Sequence, residues 1–313
     1  MTEPKAAYVP LAVTRGEVPV QHAQPGSQGA ADVGPCGDGA ATRPGIANAV
    51  AQGGVVALGD TAVPGNTVTW VLVPQPQVEI AVQDVAGACI AQAAGADRVE
   101  LCVALGETGG LTPSVGLIEA VAAIGLPVHT LIRTRPGGFI YDASELDVLV
   151  RDVQAAVRAG AAGVVVGALT GCGDVDEAAI RALAEAAEGA TVTFHRAFDV
   201  VANPLTALDQ LAELGVTRVL TSGGAARAID GRVGLKAAVV HALATGGRVQ
   251  IMAGGRVRTQ HVGALLCTGI AAVHLSARRP VAEPGPSGPG GGSGSYDQTD
   301  VGMVRAAVRA ARA

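Results

Sequence analysis

From Val78 onward the chain repeats one unit, a short apolar run followed by an alanine-rich amphipathic stretch, eight times over. The runs 78–82, 98–103, 128–133, 163–169, 191–197, 218–222, 249–252 and 272–276 are four to seven residues long and read as strands. Between them lie helical patterns: one ending at Gly95, one opening near Pro113, then 144–159, 175–187, 204–214, 235–244, 259–267 and 301–311. Strands that alternate with helices are parallel and joined by right-handed crossovers. Eight such units over this length predict an α/β fold, a closed (β/α)8 barrel of the TIM-barrel type. Gly95, Gly160, Gly215 and Gly269 fall just past helices, where a left-handed cap lets the chain turn into the next strand. The alternative is an open doubly wound sheet. Its glycine-rich dinucleotide fingerprint is missing from the first strand–helix turn.

Residues 1–76 break this rhythm. They hold nine prolines and eleven glycines without helical periodicity, and read as an irregular N-terminal extension, partly disordered, ahead of a barrel over 77–313. Two apolar stretches in it, 55–58 and 67–73, are candidates for short strands. Residues 284–295 contain only Pro, Gly and Ser and read as a flexible loop in the last strand–helix connection. A net charge of −5 with no basic run argues against nucleic acid. Mean hydropathy is +0.38, yet no apolar run approaches the roughly 18 residues a membrane span needs. The start of the chain lacks the pattern of a secretory signal. The five cysteines show no C-x-x-C spacing, so they predict reduced thiols and a cytoplasmic location rather than disulfides or structural zinc.

Side chains of a barrel strand alternate between the interior and the helix layer. One parity is apolar: Val78, Ile80 and Val82, then Val99, Leu101 and Val103. The other is polar: Glu79; Glu100 and Cys102; His129 and Arg133; Thr193 and His195; His274 and Ser276. The polar set is therefore expected to face the barrel axis. Buried charges need partners, and Glu79, Glu100 and Arg133 are an expected ion-pair set. Glu79 and His129 lie deeper and read as structural. Arg133 and His195 lie near strand C-termini, where such barrels carry their active sites. The turns Thr221-Ser222-Gly223-Gly224, Ala253-Gly254-Gly255 and Ser276-Ala277-Arg278-Arg279 look like anion cradles, with backbone N–H groups open to an oxyanion. Cys89 and Cys267 fall on helices and Cys172 in a loop. Only Cys102 shares the mouth with Glu100.

Several strings resemble the CutC family: Ala96-Asp97-Arg98-Val99-Glu100-Leu101-Cys102, Gly109-Gly110-Leu111-Thr112-Pro113-Ser114, Thr193-Phe194-His195-Arg196-Ala197-Phe198-Asp199, Arg218-Val219-Leu220-Thr221-Ser222-Gly223, Ile251-Met252-Ala253-Gly254-Gly255 and Val273-His274-Leu275-Ser276-Ala277. They match in order and spacing from about Val78 to the C-terminal helix. The resemblance implies a TIM-barrel-like fold, a cytoplasmic location, and a role in copper homeostasis with Cu+ as ligand. Two departures matter. The family's copper site uses a cysteine on strand 1 and one on strand 2; here Ala81 replaces the first and Cys102 retains the second. The family's acidic residue after strand 3 is Gly138 here, while Arg133 and Arg135 remain.

The expected function is accordingly copper handling, with Cys102 as the metal ligand. The alternative is an enzyme acting on a small anionic metabolite bearing phosphate or carboxylate. In it Arg133 and Arg135 clamp the anion, Ser222, Gly254, Gly255 and Ser276 cradle it, and Glu100 or His195 moves the proton beside Arg133. A third reading is a non-catalytic barrel whose surface mediates homo-oligomerisation. The expected partner is a small molecule or metal, not nucleic acid or membrane.

Overall fold

The structure, a computed structural model, describes residues 54–56, 71–73, 75–282, 285 and 294–313. Eight parallel strands close a barrel: β1 (Gln77–Val82), β2 (Arg98–Leu101), β3 (Val128–Leu131), β4 (Gly163–Val166), β5 (Thr191–Phe194), β6 (Arg218–Thr221), β7 (Gln250–Ala253) and β8 (Ala272–Leu275). Each pairs with its chain neighbours, and β8 returns to β1. Closure excludes the open-sheet alternative. The helices that follow the strands are α1 (Val85–Ala93), α2 (Val115–Ala122), α3 (Ala143–Arg158), α4 (Glu177–Ala186), α5 (Pro204–Glu213), α6 (Arg232–Ala244), α7 (Val262–Leu266) and α8 (Val301–Arg312). Their starts are written locally. Asp84, Ser114, Asp142, Asp176, Asn203 and Asp300 each accept a hydrogen bond from the backbone N–H three residues on. Gly95 and Gly160 end α1 and α3 at φ +85° and +94°.

Between β8 and α8 an antiparallel pair intervenes, β9 (Arg278–Ala282) and β10 (Ser295–Thr299). The sequence pattern predicts a loop in this region. Its stretch 284–295 lies mostly outside the described residues, but the strands on either side were hidden by short length and scattered charge. Gly54–Val56 and Val71–Val73 form a small antiparallel pair, in line with the candidate strands; the rest of the 1–76 reading lies outside the described residues. No helix among the described residues is long and apolar enough to cross a membrane.

The parity expectation holds. Val78, Ile80, Val82, Val99 and Leu101 join one buried apolar cluster with helix residues such as Ile118, Leu149, Ile180 and Leu211. The interior, by contrast, is built in tiers of four from alternate strands, set by the pairing register and strand tilt. Arg98, Gly163, Arg218 and Ala272 form the floor. Above them come Glu79, His129, Thr193 and Met252, then Glu100, Val165, Leu220 and His274. Ala81, Leu131, His195 and Gly254 form the mouth.

The floor corrects one expectation. Glu79 is paired with Arg98 and His274, not with Arg133. Arg218 is 6% exposed and donates to Thr193 and Gln250, with no carboxylate paired with it among the described residues. Burial, followed by nearby Arg98, lowers its pKa to about 10. Arg98 and Arg218 stand two residues before Glu100 and Leu220 and share their parity, which is the signal that would have found them.

Candidate functional site

At the C-terminal ends of the strands lies a cavity of about 450 Å³. Glu100, Arg133, His195, Gly255 and Ser276 line it together, with Ala81 at its base. Four arginines line it against one carboxylate: Arg133, Arg196, Arg256 and Arg278 against Glu100. Arg196 is paired with Asp199 and Arg278 with Asp297. Arg133 and Arg256 have no carboxylate partner among the described residues. The cavity is therefore electropositive, a feature that favours anionic ligands.

A chain of polar contacts runs from this cavity into the barrel. His274 Nε2 lies 3.6 Å from Glu100 Oε2, while its Nδ1 is 2.7 Å from Glu79 Oε1. Glu79 Oε2 in turn accepts from Arg98 Nε. Burial pushes the Glu79 pKa up, but Arg98, His274 and His129 outweigh it and hold the carboxyl well below the usual range. Glu100 behaves oppositely. Burial raises its pKa to about 7; His274 opposes the shift and the Glu79 charge adds to it. His274 is shifted up, because Glu100 and Glu79 together overcome its burial. His195 is held down at about 3, first by burial and then by Arg133, so its imidazole is neutral.

Arg133 is fixed by backbone rather than by acid. Its Nη1 donates to the carbonyls of Thr108 (2.8 Å) and Gly110 (3.3 Å), its Nη2 to that of Gly137 (2.7 Å), and its guanidinium sits 5.4 Å from the Phe139 ring centre. These contacts orient a charge without neutralising it.

Four other expected site residues do not line the cavity. Arg135 turns outward to Glu145 and the Ile140 carbonyl, away from the cavity. Gly254 gives Leu220 its space: a Cβ there would come within 2.4 Å of Leu220 Cδ1. Ser222 sits in a turn that already holds an anion, the carboxylate of Asp199. Asp199 Oδ1 accepts from Thr221 Oγ1 (2.5 Å), Ser222 N (2.8 Å) and Gly224 N (3.4 Å), while Oδ2 accepts from Arg196 Nε at 2.8 Å. The glycine pattern marks the cradle but not its occupant, which comes from the turn after β5. Cys102 lies behind the mouth against Leu131 and Val165.

A model of the CutC family matches residues 76–279. The chain belongs to the CutC family. It is 46% identical over 238 residues to the family protein CutC of Xanthomonas campestris pv. campestris (strain 8004), covering 74% of this chain and 97% of that one. To the family protein CutC of Pasteurella multocida (strain Pm70) it is 42% identical over 204 residues, 64% of this chain and 82% of the relative. Among solved structures, CutC of Streptococcus agalactiae, whose name associates it with copper homeostasis, superposes with a TM-score of 0.61 at 32% identity. That match covers 64% of this chain and 98% of the other.

The residues present do not fit the Cu+ that the family name implies. Cu+ takes two or three soft donors. Here Ala81 lines the cavity without a thiol, and Cys102 is fully buried, its pKa raised by burial and by the Glu100 charge. Among the described residues the group of donors close enough to share an ion is Glu79, Glu100 and His274. None of these donors is soft, the carboxylates being hard and the imidazole borderline, and Glu79 is already committed to Arg98 and His274. Iodoacetamide is therefore expected to label the exposed Cys89 and Cys172 of the native protein and to spare Cys102 until the chain unfolds. Peptide mapping by mass spectrometry reads this directly. Equally fast labelling of Cys102 would contradict the buried, protonated thiol.

Proposed function

We propose that this CutC-family barrel is an enzyme that binds a small anionic metabolite at its mouth and exchanges a proton with it through Glu100. Glu100 carries the reading: a buried carboxyl, its pKa raised to about 7 chiefly by burial, that faces an arginine-lined cavity. A group with its pKa near the working pH both takes and returns a proton efficiently. Arg133 and Arg256 supply the charge that holds a phosphate or carboxylate, and charge-assisted hydrogen bonds from guanidinium groups contribute roughly 1.5–3 kcal/mol each. Glu79 orients His274, and His274 stands beside Glu100 as a second proton carrier. Copper handling, the role in the family name, has less support, since the soft donor set is incomplete. Cys89, Cys102 and Cys172, none in a disulfide, support a reducing, cytoplasmic setting.

Inorganic phosphate at about ten times a millimolar dissociation constant is expected to stabilise the native protein by about 1.4 kcal/mol. That is a melting-temperature rise of roughly 3–6 °C for a domain of this size. Arg133→Ala should remove most of the rise. Arg256→Gln, which alters an exposed side chain with no partner among the described residues, should reduce it without touching the fold. A wild-type rise that survives both substitutions would place the anion elsewhere.

A further inference from the structure

Two cavity-lining residues come from well-separated parts of the barrel, and their chemistry is complementary. His195 closes β5. Its Nδ1 accepts the Ala197 N–H at 3.1 Å, which assigns the ring proton to Nε2. Nε2 is buried and has no hydrogen-bond partner among the described residues. The ring is held in place by Phe139 and Phe194, with centroids 4.8 and 5.9 Å away. It also lies over Gly167, where a Cβ would come within 2.3 Å of the imidazole. A neutral imidazole so fixed is a poor base but a well-matched donor to an oxygen that is gaining negative charge. Glu100, on β2, has no hydrogen-bond donor against its carboxylate closer than His274 at 3.6 Å among the described residues. One base, one neutral donor and a cationic anchor are the parts that enolisation needs. Hydrolysis would need in addition a positioned water and a strong acid at the leaving group.

We infer that the mouth catalyses proton transfer at the carbon next to a carbonyl of a phosphorylated α-hydroxy aldehyde or ketone, with Glu100 as base and His195 Nε2–H as donor to the carbonyl oxygen. This rests on the anion-site reading above, since the phosphate is the handle that presents the carbon to Glu100. Glu100 takes the proton and the C–H bond breaks. Its electron pair becomes the C=C bond of an enediolate, and the carbonyl π pair moves onto oxygen against His195. Glu100 then returns the proton to the neighbouring carbon while the hydroxyl proton passes between the two oxygens through Nε2. The product is the isomeric carbonyl compound, and no oxidant, reductant or second substrate is consumed.

The test uses the full chain and dihydroxyacetone phosphate in D2O, with carbon-bound deuterium followed by NMR. Glu100→Gln protein, purified identically, sets the background from host enzymes. Wild-type protein is expected to exchange the proton at least 100-fold faster than Glu100→Gln, in keeping with the 10²–10⁴-fold contribution of a positioned base. His195→Ala should lose 10-fold or more, and His195→Gln, which restores an N–H donor, should recover part of the loss. Both Glu100→Gln and His195→Gln should keep the melting-temperature rise given by the same compound. If wild-type protein is stabilised by dihydroxyacetone phosphate yet exchanges no faster than Glu100→Gln, the enolisation chemistry is wrong and the anion site stands. If neither dihydroxyacetone phosphate nor inorganic phosphate stabilises it, both readings fall.

Discussion

Replacing Glu79 with alanine is expected to cost roughly 3–5 kcal/mol of stability, the penalty for stripping one partner from a buried ion pair. Glu79 is fully buried and accepts from Arg98 and from His274, the latter at 2.7 Å. Its removal leaves Arg98 and Arg218 on the barrel floor, with Glu100 two tiers above them as the remaining interior carboxylate of the described strands. Urea unfolding at pH 7 measures the loss, and a difference under about 1 kcal/mol would contradict it. The pH dependence has a definite sign. The folded pKa of Glu79 lies below the unfolded value of about 4.3. Its contribution is therefore complete above that value and is lost as pH falls further. The gap between wild type and Glu79→Ala should narrow below about pH 4.

Gly231→Ala is expected to lower the melting temperature by roughly 6–12 °C, equivalent to about 3 kcal/mol of overpacking. A Cβ at Gly231 would stand 1.8 Å from the Ser222 carbonyl oxygen and 3.2 Å from Gly223 Cα. These are backbone atoms, so no rotamer change makes room. The turn after β6 must shift, and with it the donors that hold Asp199 and, through Asp199, Arg196. Gly263→Ala is the matched control. It lies in α7 with nothing within 4 Å of the added atom, and should leave the melting temperature unchanged or slightly raised. Equal behaviour of the two variants in thermal unfolding would show that the turn is looser than its contacts imply.

The repeat of strand and helix was readable because both periods are set locally by burial, and the helix caps at Asp84, Asp142 and Asn203 stand in plain sequence. The interior parity was readable for the same reason, since Glu100 and Cys102 alternate with Val99 and Leu101. Who pairs with whom was not. Glu79 meets His274 across 195 residues of chain, and that contact exists only because the barrel closes. The Ser222 turn illustrates the same limit. Its glycines announce an anion cradle, yet only tertiary structure brings Asp199 into it. The state of Cys102 and Glu100 was equally hidden, because a side chain's ionisation depends on burial and neighbours that residue type does not specify. Arg135 was misplaced by extending strand parity past the end of β3, where the chain has already turned.

The charged interior also bears on how the chain finds its register. A strand displaced by one residue exchanges its two faces. In β1, β2 or β6 such a slip would drive Glu79, Arg98 or Arg218 among the aliphatic side chains under the helices, with no counter-charge in reach. It would also set a valine or leucine among guanidinium groups. An all-apolar barrel would suffer far less from the same error. The buried charges thus penalise mismatched closures that hydrophobic burial alone would tolerate.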